Sequence, residues 1–428
     1  MRTATEILES PGYRPASEAG VAQRLEAELA GFDHFGKSTV RDSLAADGVG
    51  AIPLFINEFW TSKQRAASRL HEISYRACFK PQLPRFFIER LTRPGEAVYD
   101  PFMGRGTTLV EAALLGRTPL GCDVNPLSDI LVRARLNPPR LSEIEGRLKE
   151  INFGDADECP EPLLAFYHPE TLREICSLKR YLLRQKKRGA LDNVDYWIWM
   201  VATNRLTGHS PGFFSVYTLP PNQAVSVGAQ LKINEKRKQT PPRRHVPDLI
   251  LRKSGQLLAD LDDSILQQLS TSGTDALLLT RSAKDTPQIR SNSVALVVTS
   301  PPFLDVVDYE IDNWLRAWFC GVDTAKQTIW QIKNLSDWEN GMGKVMFEIR
   351  RVLQPGGWLA FEVGEIRSGK LKLETSVLKV GVEAGLHPVL GLINDQVFTK
   401  TSNCWGVHNL KKGTNTNRII LFQKLSDF

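Results

Sequence analysis

Short apolar runs ending in a single acid or hydroxyl residue recur along this chain, separated by stretches whose apolar positions fall three and four apart. The run Ala97–Tyr99 ends at Asp100. A glycine-rich turn through Gly104 and Gly106 follows, then a helical pattern over Thr107–Leu115 that stops at Gly116. A second apolar run, Pro119–Cys122, ends at Asp123. Strand, glycine turn, helix, strand and acid in that order predict a parallel βαβ unit. Strand patterns resume at Leu277–Thr280 and Val294–Val298. They are followed by a helix near Lys344–Leu353, a turn at Gln354-Pro-Gly-Gly357 and a strand over Trp358–Gly364. Two later runs, Pro388–Ile393 and Arg418–Gln423, read as an antiparallel pair at the edge of the sheet.

Between the two sets of strands the alternation stops. Residues 138–275 carry helical stretches (Glu170–Gln185, Tyr196–Leu206), a loop-rich middle around Gly208–Asn222, and a basic run Lys232–His245 containing Pro241-Pro242. The expected organisation is an α/β domain of residues 51–137 and 276–428, with 138–275 as an inserted domain. Residues 1–50 are expected to be a polar N-terminal extension with one helix near Gly20–Ala30. From Thr61 the pattern reads as helical through Leu91.

Composition narrows the class. The chain has 428 residues, 42% hydrophobic and 24% charged, with no run long enough to span a bilayer. Its first 15 residues lack the apolar stretch of a signal peptide. Six cysteines stand apart without Cys-x-x-Cys spacing, and the seven histidines show no metal-ligand spacing. These features point to a reducing cytoplasm and no metal. The net charge of +6 is unevenly spread: residues 173–253 hold 16 Lys/Arg against five Asp/Glu. A basic segment on an otherwise slightly acidic chain suits either a polyanion partner or a solvated helix face.

A glycine turn between strand and helix lets backbone approach a ligand where a Cβ would collide, with the helix N-terminus at Thr107 behind it. Gly104-Arg-Gly106-Thr-Thr-Leu109 lacks the third glycine of the dinucleotide pattern, which argues against a pyrophosphate ligand. Downstream, Thr299-Ser-Pro-Pro-Phe303 follows the apolar strand Val294–Val298. Two successive prolines have fixed φ and no backbone N–H, so this stretch offers carbonyl acceptors only and moves little.

Together these segments resemble amino-methylating DNA methyltransferases. Asp100-Pro-Phe-Met-Gly-Arg-Gly-Thr-Thr108 is similar to their cofactor motif, and Thr299–Phe303 to their catalytic motif in the Ser-Pro-Pro form of cytosine-N4 enzymes. Phe79-Lys-Pro-Gln-Leu-Pro84 resembles the segment near the methionine end of the cofactor, and Leu353–Gly364 the fifth strand. The resemblance implies a Rossmann-like class I methyltransferase sheet, mostly parallel with an antiparallel edge pair, interrupted by a target-recognition domain. It implies S-adenosylmethionine as cofactor, held by Lys80, Asp100, Phe102, Gly104, Gly106, Thr107, Asp123 on the ribose, and Asn125. The place of the family's adenine-contacting acid holds Ser282, with Asp285 as a substitute. Arg105 is expected to be solvent-exposed.

The implied chemistry is alignment. The exocyclic amine of cytosine is a poor nucleophile because its lone pair is delocalised into the ring. Ser300 and the Pro301 carbonyl would hold the two amino hydrogens, Pro302 would stiffen the loop, and Phe303 would stack on the base. The base must leave the helix, and one aromatic stack is worth roughly 1–3 kcal/mol. Asp305 and Asp308 are candidates for receiving the released proton. Carbon-5 methylation needs a Pro-Cys thiolate that the chain lacks. Lys186, Lys187, Arg188, Lys236, Lys238, Arg237, Arg243 and Arg244 are expected to contact phosphates of double-stranded DNA. The motif order implies a site-specific enzyme of a restriction-modification system, with a cognate restriction endonuclease acting separately. Alternatives are an adenine-N6 DNA methyltransferase, an RNA base methyltransferase, and an inactive DNA-binding subunit.

Overall fold

The structure is a computed structural model. It describes residues 18–46, 48–60, 67–75, 78–156, 158–219, 224–302, 309–323, 334–364, 373–395 and 416–426. The predicted βαβ unit is present: β3 (Ala97–Asp100), α3 (Thr107–Leu114) and β4 (Thr118–Asp123), with β3 and β4 parallel. Around it stand β1 (Val40–Ala46), β2 (Val49–Asn57), β5 (Leu277–Thr280), β6 (Val294–Thr299), β7 (Leu353–Val363), β8 (His387–Asp395) and β9 (Thr416–Gln423). They form one nine-stranded sheet in the order β1-β2-β8-β9-β7-β6-β3-β4-β5.

Strands β5, β4, β3, β6 and β7 run parallel, and β9 is antiparallel to both β7 and β8. Counted from β3, the order is that of a Rossmann-like methyltransferase sheet, reversing between β3 and β6. At such a reversal the strand ends open a crevice. The antiparallel pair β8–β9 forms as expected, but not at the edge. Strand β2 pairs in parallel with β8, and β1 closes the sheet as an antiparallel hairpin partner. Residues 40–50, expected in an extension, therefore supply a strand and the start of another. Their polar, exposed pattern is that of an edge strand, which is why hydropathy did not reveal β1.

Strand residues alternate between two cores, as the pleat requires. Tyr99, Val297, Leu359, Phe361, Ile420 and Phe422 face α12 (Leu335–Val352) and α13 (Leu373–Glu383). Val98, Leu296, Val298, Trp358, Ala360, Ile419 and Leu421 face the opposite way, against α1 (Glu18–Ala30) and α2 (Gln82–Leu91). All of β6 is buried, as expected of a central strand covered on both faces. Of the helical pattern read from Thr61, residues 61–66 and 76–77 lie outside the described residues, and among the described ones the α-helix begins at Gln82. Residues 69–71 form a single 3-10 turn, and the described residues beside it are irregular.

The described part of residues 138–275 carries six α-helices: α5 (Leu141–Glu150), α6 (Pro169–Arg188), α7 (Asn193–Arg205), α8 (Val227–Arg237), α9 (Val246–Leu258) and α10 (Asp263–Thr274). Sequence sets the ends. His168 accepts from Glu170 N at the start of α6, with Pro169 at the first helical position, and Gly189 ends it at φ +65°. This layer shares one continuous core with α3 and α4 (Pro126–Leu136), from Leu109 and Leu131 to Trp197 and Leu269. It packs onto the helices that cover one face of the sheet. After β6 comes α11 (Tyr309–Cys320), which packs against α4, α6 and α7.

Candidate active site

The carboxyl ends of β3 and β6 are joined by side chains. Thr299 donates its hydroxyl to Asp100 Oδ1 at 2.7 Å, and Thr108 donates to the Val298 carbonyl at 3.1 Å. Asp100 also accepts from Phe102 N at 3.0 Å. Burial pushes the Asp100 carboxyl up to about 7, against the opposing effect of these hydrogen bonds. The next residue, Ser300, lines a cleft together with Asp100, Phe102, Gly104, Thr107, Asp123, Asn125, Ser282 and Pro302. Residues from both motifs thus share one cavity.

The two loop glycines have different jobs. Gly104 has φ +47°, and a Cβ there would meet only Tyr75 Cε1 at 3.7 Å and the Phe102 carbonyl at 3.8 Å, so the glycine leaves space in the cleft. Gly106 has φ +75°, and its Cβ would lie 2.3 Å from Val132 Cγ2. Gly106 therefore lets α3 start against α4, and it does not line the cleft. Thr107, the first residue of α3, is buried and accepts from Arg105 Nε at 3.0 Å.

Arg105 is buried, contrary to the expectation that solvent would surround it. Its guanidinium donates to the carbonyls of His71, Ile73 and Phe79, each at 3.3 Å. Among the described residues these carbonyls have no sheet or helix partners, and a planar five-donor group satisfies several at once. The strap so held brings Tyr75, Cys78 and Phe79 over the cleft. Lys80, expected at the cofactor, is half-buried beside it, its pKa lowered by burial, and is not among the lining residues.

Asp123 ends β4 and accepts from Gly104 N and Asn125 N, each at 2.8 Å. Burial raises its pKa, against those backbone hydrogen bonds. Asn125 caps α4 through Leu127 N at 3.1 Å and approaches the Tyr75 hydroxyl at 3.4 Å. Across the cleft, Arg281, Ser282 and Ala283 follow β5. Asp285 is turned to Arg281 at 2.6 Å and is absent from the lining.

Behind Ser300 stands Glu362, a buried acid on β7. Its carboxyl shares a hydrogen bond with the Ser300 hydroxyl, and Oε1 accepts from Asn417 Nδ2 at 3.0 Å. Burial raises the Glu362 pKa, and these two bonds oppose the rise. Pro301 is buried, and the Pro302 carbonyl accepts from Trp338 Nε1 at 3.2 Å. Phe303, Asp305 and Asp308 lie outside the described residues. Sequence reading missed Glu362, although one carboxylate inside the apolar run Trp358–Val363 was a usable signal.

The basic residues divide. Lys186, Lys187 and Arg188 end α6, and Lys236, Arg237 and Lys238 end α8, all exposed. Arg243 instead bonds Glu170 at 2.6 Å and Glu174 at 2.5 Å, and the Arg244 backbone bonds Thr171. Arg243 is thus committed within the protein, a partnership invisible to a count of charges. Among the described residues no cluster suits a metal ion, and no helix is long and apolar enough to cross a membrane.

Residues 53–128, spanning β2 to the start of α4, match the family model described as DNA methylase. Type II methyltransferase M.MjaII of Methanocaldococcus jannaschii is 34% identical over 144 residues, 31% of this chain and 26% of that protein. Type II methyltransferase M.MvaI of Kocuria varians is 34% identical over 140 residues, covering 32% and 27%. Over these residues the chain is similar to DNA methylases. A longer, weaker match, 22% over 293 residues, is to Type II methyltransferase M.BsoBI of Geobacillus stearothermophilus, covering 59% of this chain and 53% of that one. The matched part spans about a quarter of the length of the first two relatives. Among solved structures, a SAM-dependent methyltransferase from Methanosarcina mazei is 10% identical with TM-score 0.32, covering 80% of this chain and 98% of that one. The rRNA methyltransferase aviRa from Streptomyces viridochromogenes is 12% identical with TM-score 0.32, covering 83% and 89%. The strand order identifies the sheet; these superpositions add nothing to it.

Proposed function

We propose that this protein is a DNA methyltransferase that transfers the methyl group of S-adenosylmethionine to the N4 amino group of a flipped cytosine, in a restriction-modification setting. The observation that carries this reading is Ser300: it borders the cleft formed by the glycine loop and is itself hydrogen-bonded to buried Glu362.

The cleft suits the cofactor. Asp123 places a buried carboxylate where vicinal ribose hydroxyls need acceptors, and space stands open above Gly104. Phe79, Phe102 and Tyr75 supply aromatic walls, and Ser282 and Ala283 border the far side. Bound there, S-adenosylmethionine supplies a methyl group already activated by a sulfonium.

The chain's own residues do the aligning. A serine hydroxyl has one proton. When Glu362 is ionised it accepts that proton, so Ser300 Oγ turns lone pairs to the cleft and accepts an amino hydrogen of the base. The Pro301 carbonyl accepts the other, and the nitrogen lone pair is left facing the methyl group. The proton displaced from the alkylated amine passes to Ser300 Oγ as the serine proton moves to Glu362. A raised pKa suits Glu362 to that task. The exposed basic ends of α6 and α8 would meet phosphates of the duplex.

The test is mass identification of nucleosides after incubating duplex DNA with the protein and methyl-labelled cofactor. N4-methylcytosine is expected. N6-methyladenine would move the acceptor to adenine, label confined to RNA would move the substrate, and no label anywhere would leave a binding subunit.

A further inference from the structure

We propose that Arg316 is a positioning residue that couples occupancy of the cofactor cleft to the helix that follows the catalytic segment, and thereby to duplex binding; this rests on the DNA-methylating function proposed above. The strap over the cleft is held from two sides. From below, Arg105 of the glycine loop binds the carbonyls of His71, Ile73 and Phe79. From outside, Arg316 of α11 donates to the Ser74 carbonyl at 3.1 Å, and its guanidinium stands 5.9 Å from the Tyr75 ring centroid. Its other end donates to Asn313 Oδ1 at 3.0 Å, which fixes the fork along its own helix.

Tyr75 is the residue between the two systems. Its ring lies against the space above Gly104, and its hydroxyl is 3.4 Å from Asn125. Helix α11 in turn is seated in the helical layer. Trp314 Nε1 donates to the Ala224 carbonyl at 3.2 Å, Lys179 stands 4.3 Å from the Trp318 ring centroid, and Cys320 meets Thr203 at 3.4 Å. A ligand pressing on Tyr75 therefore reaches, through one guanidinium, the helix that follows Ser300–Pro302 in sequence and is seated in the layer with the basic helix ends. A planar fork that bonds a carbonyl while facing an aromatic ring cannot be replaced by a lysine.

Coupling between sites is reciprocal and is read as a ratio of affinities. Duplex affinity would be measured with and without saturating S-adenosylhomocysteine for the wild type, Arg316→Gln and Arg316→Lys, each checked for unchanged melting. The wild type is expected to bind DNA about tenfold more tightly with the analogue. In both variants the ratio is expected to fall to within about twofold of one, while affinity without the analogue stays put. A ratio in Arg316→Gln equal to that of the wild type, an uncoupled wild type, or an equal loss of affinity with and without analogue would overturn the role of Arg316 alone. Wild-type protein that binds the analogue but no duplex would overturn the proposed function, and the coupling with it. The full ratio retained in Arg316→Lys would overturn the part given to the planar fork, leaving the charge as the coupling element.

Discussion

Thr299 donates its hydroxyl to Asp100 at 2.7 Å, so the last residues of two strands 199 positions apart are tied side chain to side chain. Each begins one of the two motifs. The bond sets the Ser-Pro-Pro turn against the glycine loop before any ligand arrives. Thr299→Val is expected to cost about 1–3 kcal/mol, since a buried carboxylate loses a donor. Cofactor affinity should fall with it. Thermal denaturation and calorimetric titration check both.

Asp100 makes stability depend on pH. Its folded pKa is raised from 3.8 to about 7, chiefly by burial. Its contribution is therefore fully present below about pH 3.8 and is lost as pH rises through 7, where the folded state must give up its proton. The change is up to about 4 kcal/mol by linkage, less where the site relaxes. Asp100→Asn should flatten this component of the stability profile between about pH 4 and 7. An unchanged profile would mean that Asp100 is ionised in the folded protein.

Glu362 predicts the shape of the activity profile. Burial raises its pKa, and only the ionised form accepts the Ser300 proton. The turnover rate should drop as pH falls through a value above the ordinary glutamate range. In Glu362→Gln this acid limb should vanish and turnover should fall roughly 100-fold at neutral pH, with the KM for cofactor little changed. A retained acid limb would assign the titration to another group.

The loop glycines should separate stability from binding. Gly106→Ala combines a left-handed backbone with a Cβ 2.3 Å from Val132, and a loss of about 2–4 kcal/mol is expected. Gly104→Ala makes only ordinary contacts with Tyr75 and Phe102, so strain of about 1–2 kcal/mol is the main structural cost. Its larger effect should be on cofactor affinity. Melting temperatures and titrations of the two variants should rank in opposite order.

Charge reversal should distinguish solvent-facing cations from committed ones. Replacing Lys186, Lys187 and Arg188 by Glu should flatten the salt dependence of duplex binding by roughly one unit per lost phosphate contact. Arg243→Glu breaks the contacts with Glu170 and Glu174 and should lower stability while leaving that slope in place. Equal slopes in the wild type and the triple variant would remove the end of α6 from the interface.

The sequence by itself determined the parallel core, because β3, β4, β6 and β7 are apolar runs at the right period and Gly104 and Gly106 punctuate them. It also placed Asp123 at the end of one strand and Ser300 just after another, since where a strand ends is set locally. It could not show that Gly106 serves helix packing, that Arg105 is a buried clamp, that Arg243 is spent on two glutamates, or that β1 joins the sheet. Each of these depends on a partner distant along the chain. Glu362 lies between the two cases: its placement in an apolar strand was legible, but its contacts with Ser300 and Asn417 emerge only where β6, β7 and β9 lie side by side. Periodicity reports what a residue does for its own element; only the packed structure reports what it does for another.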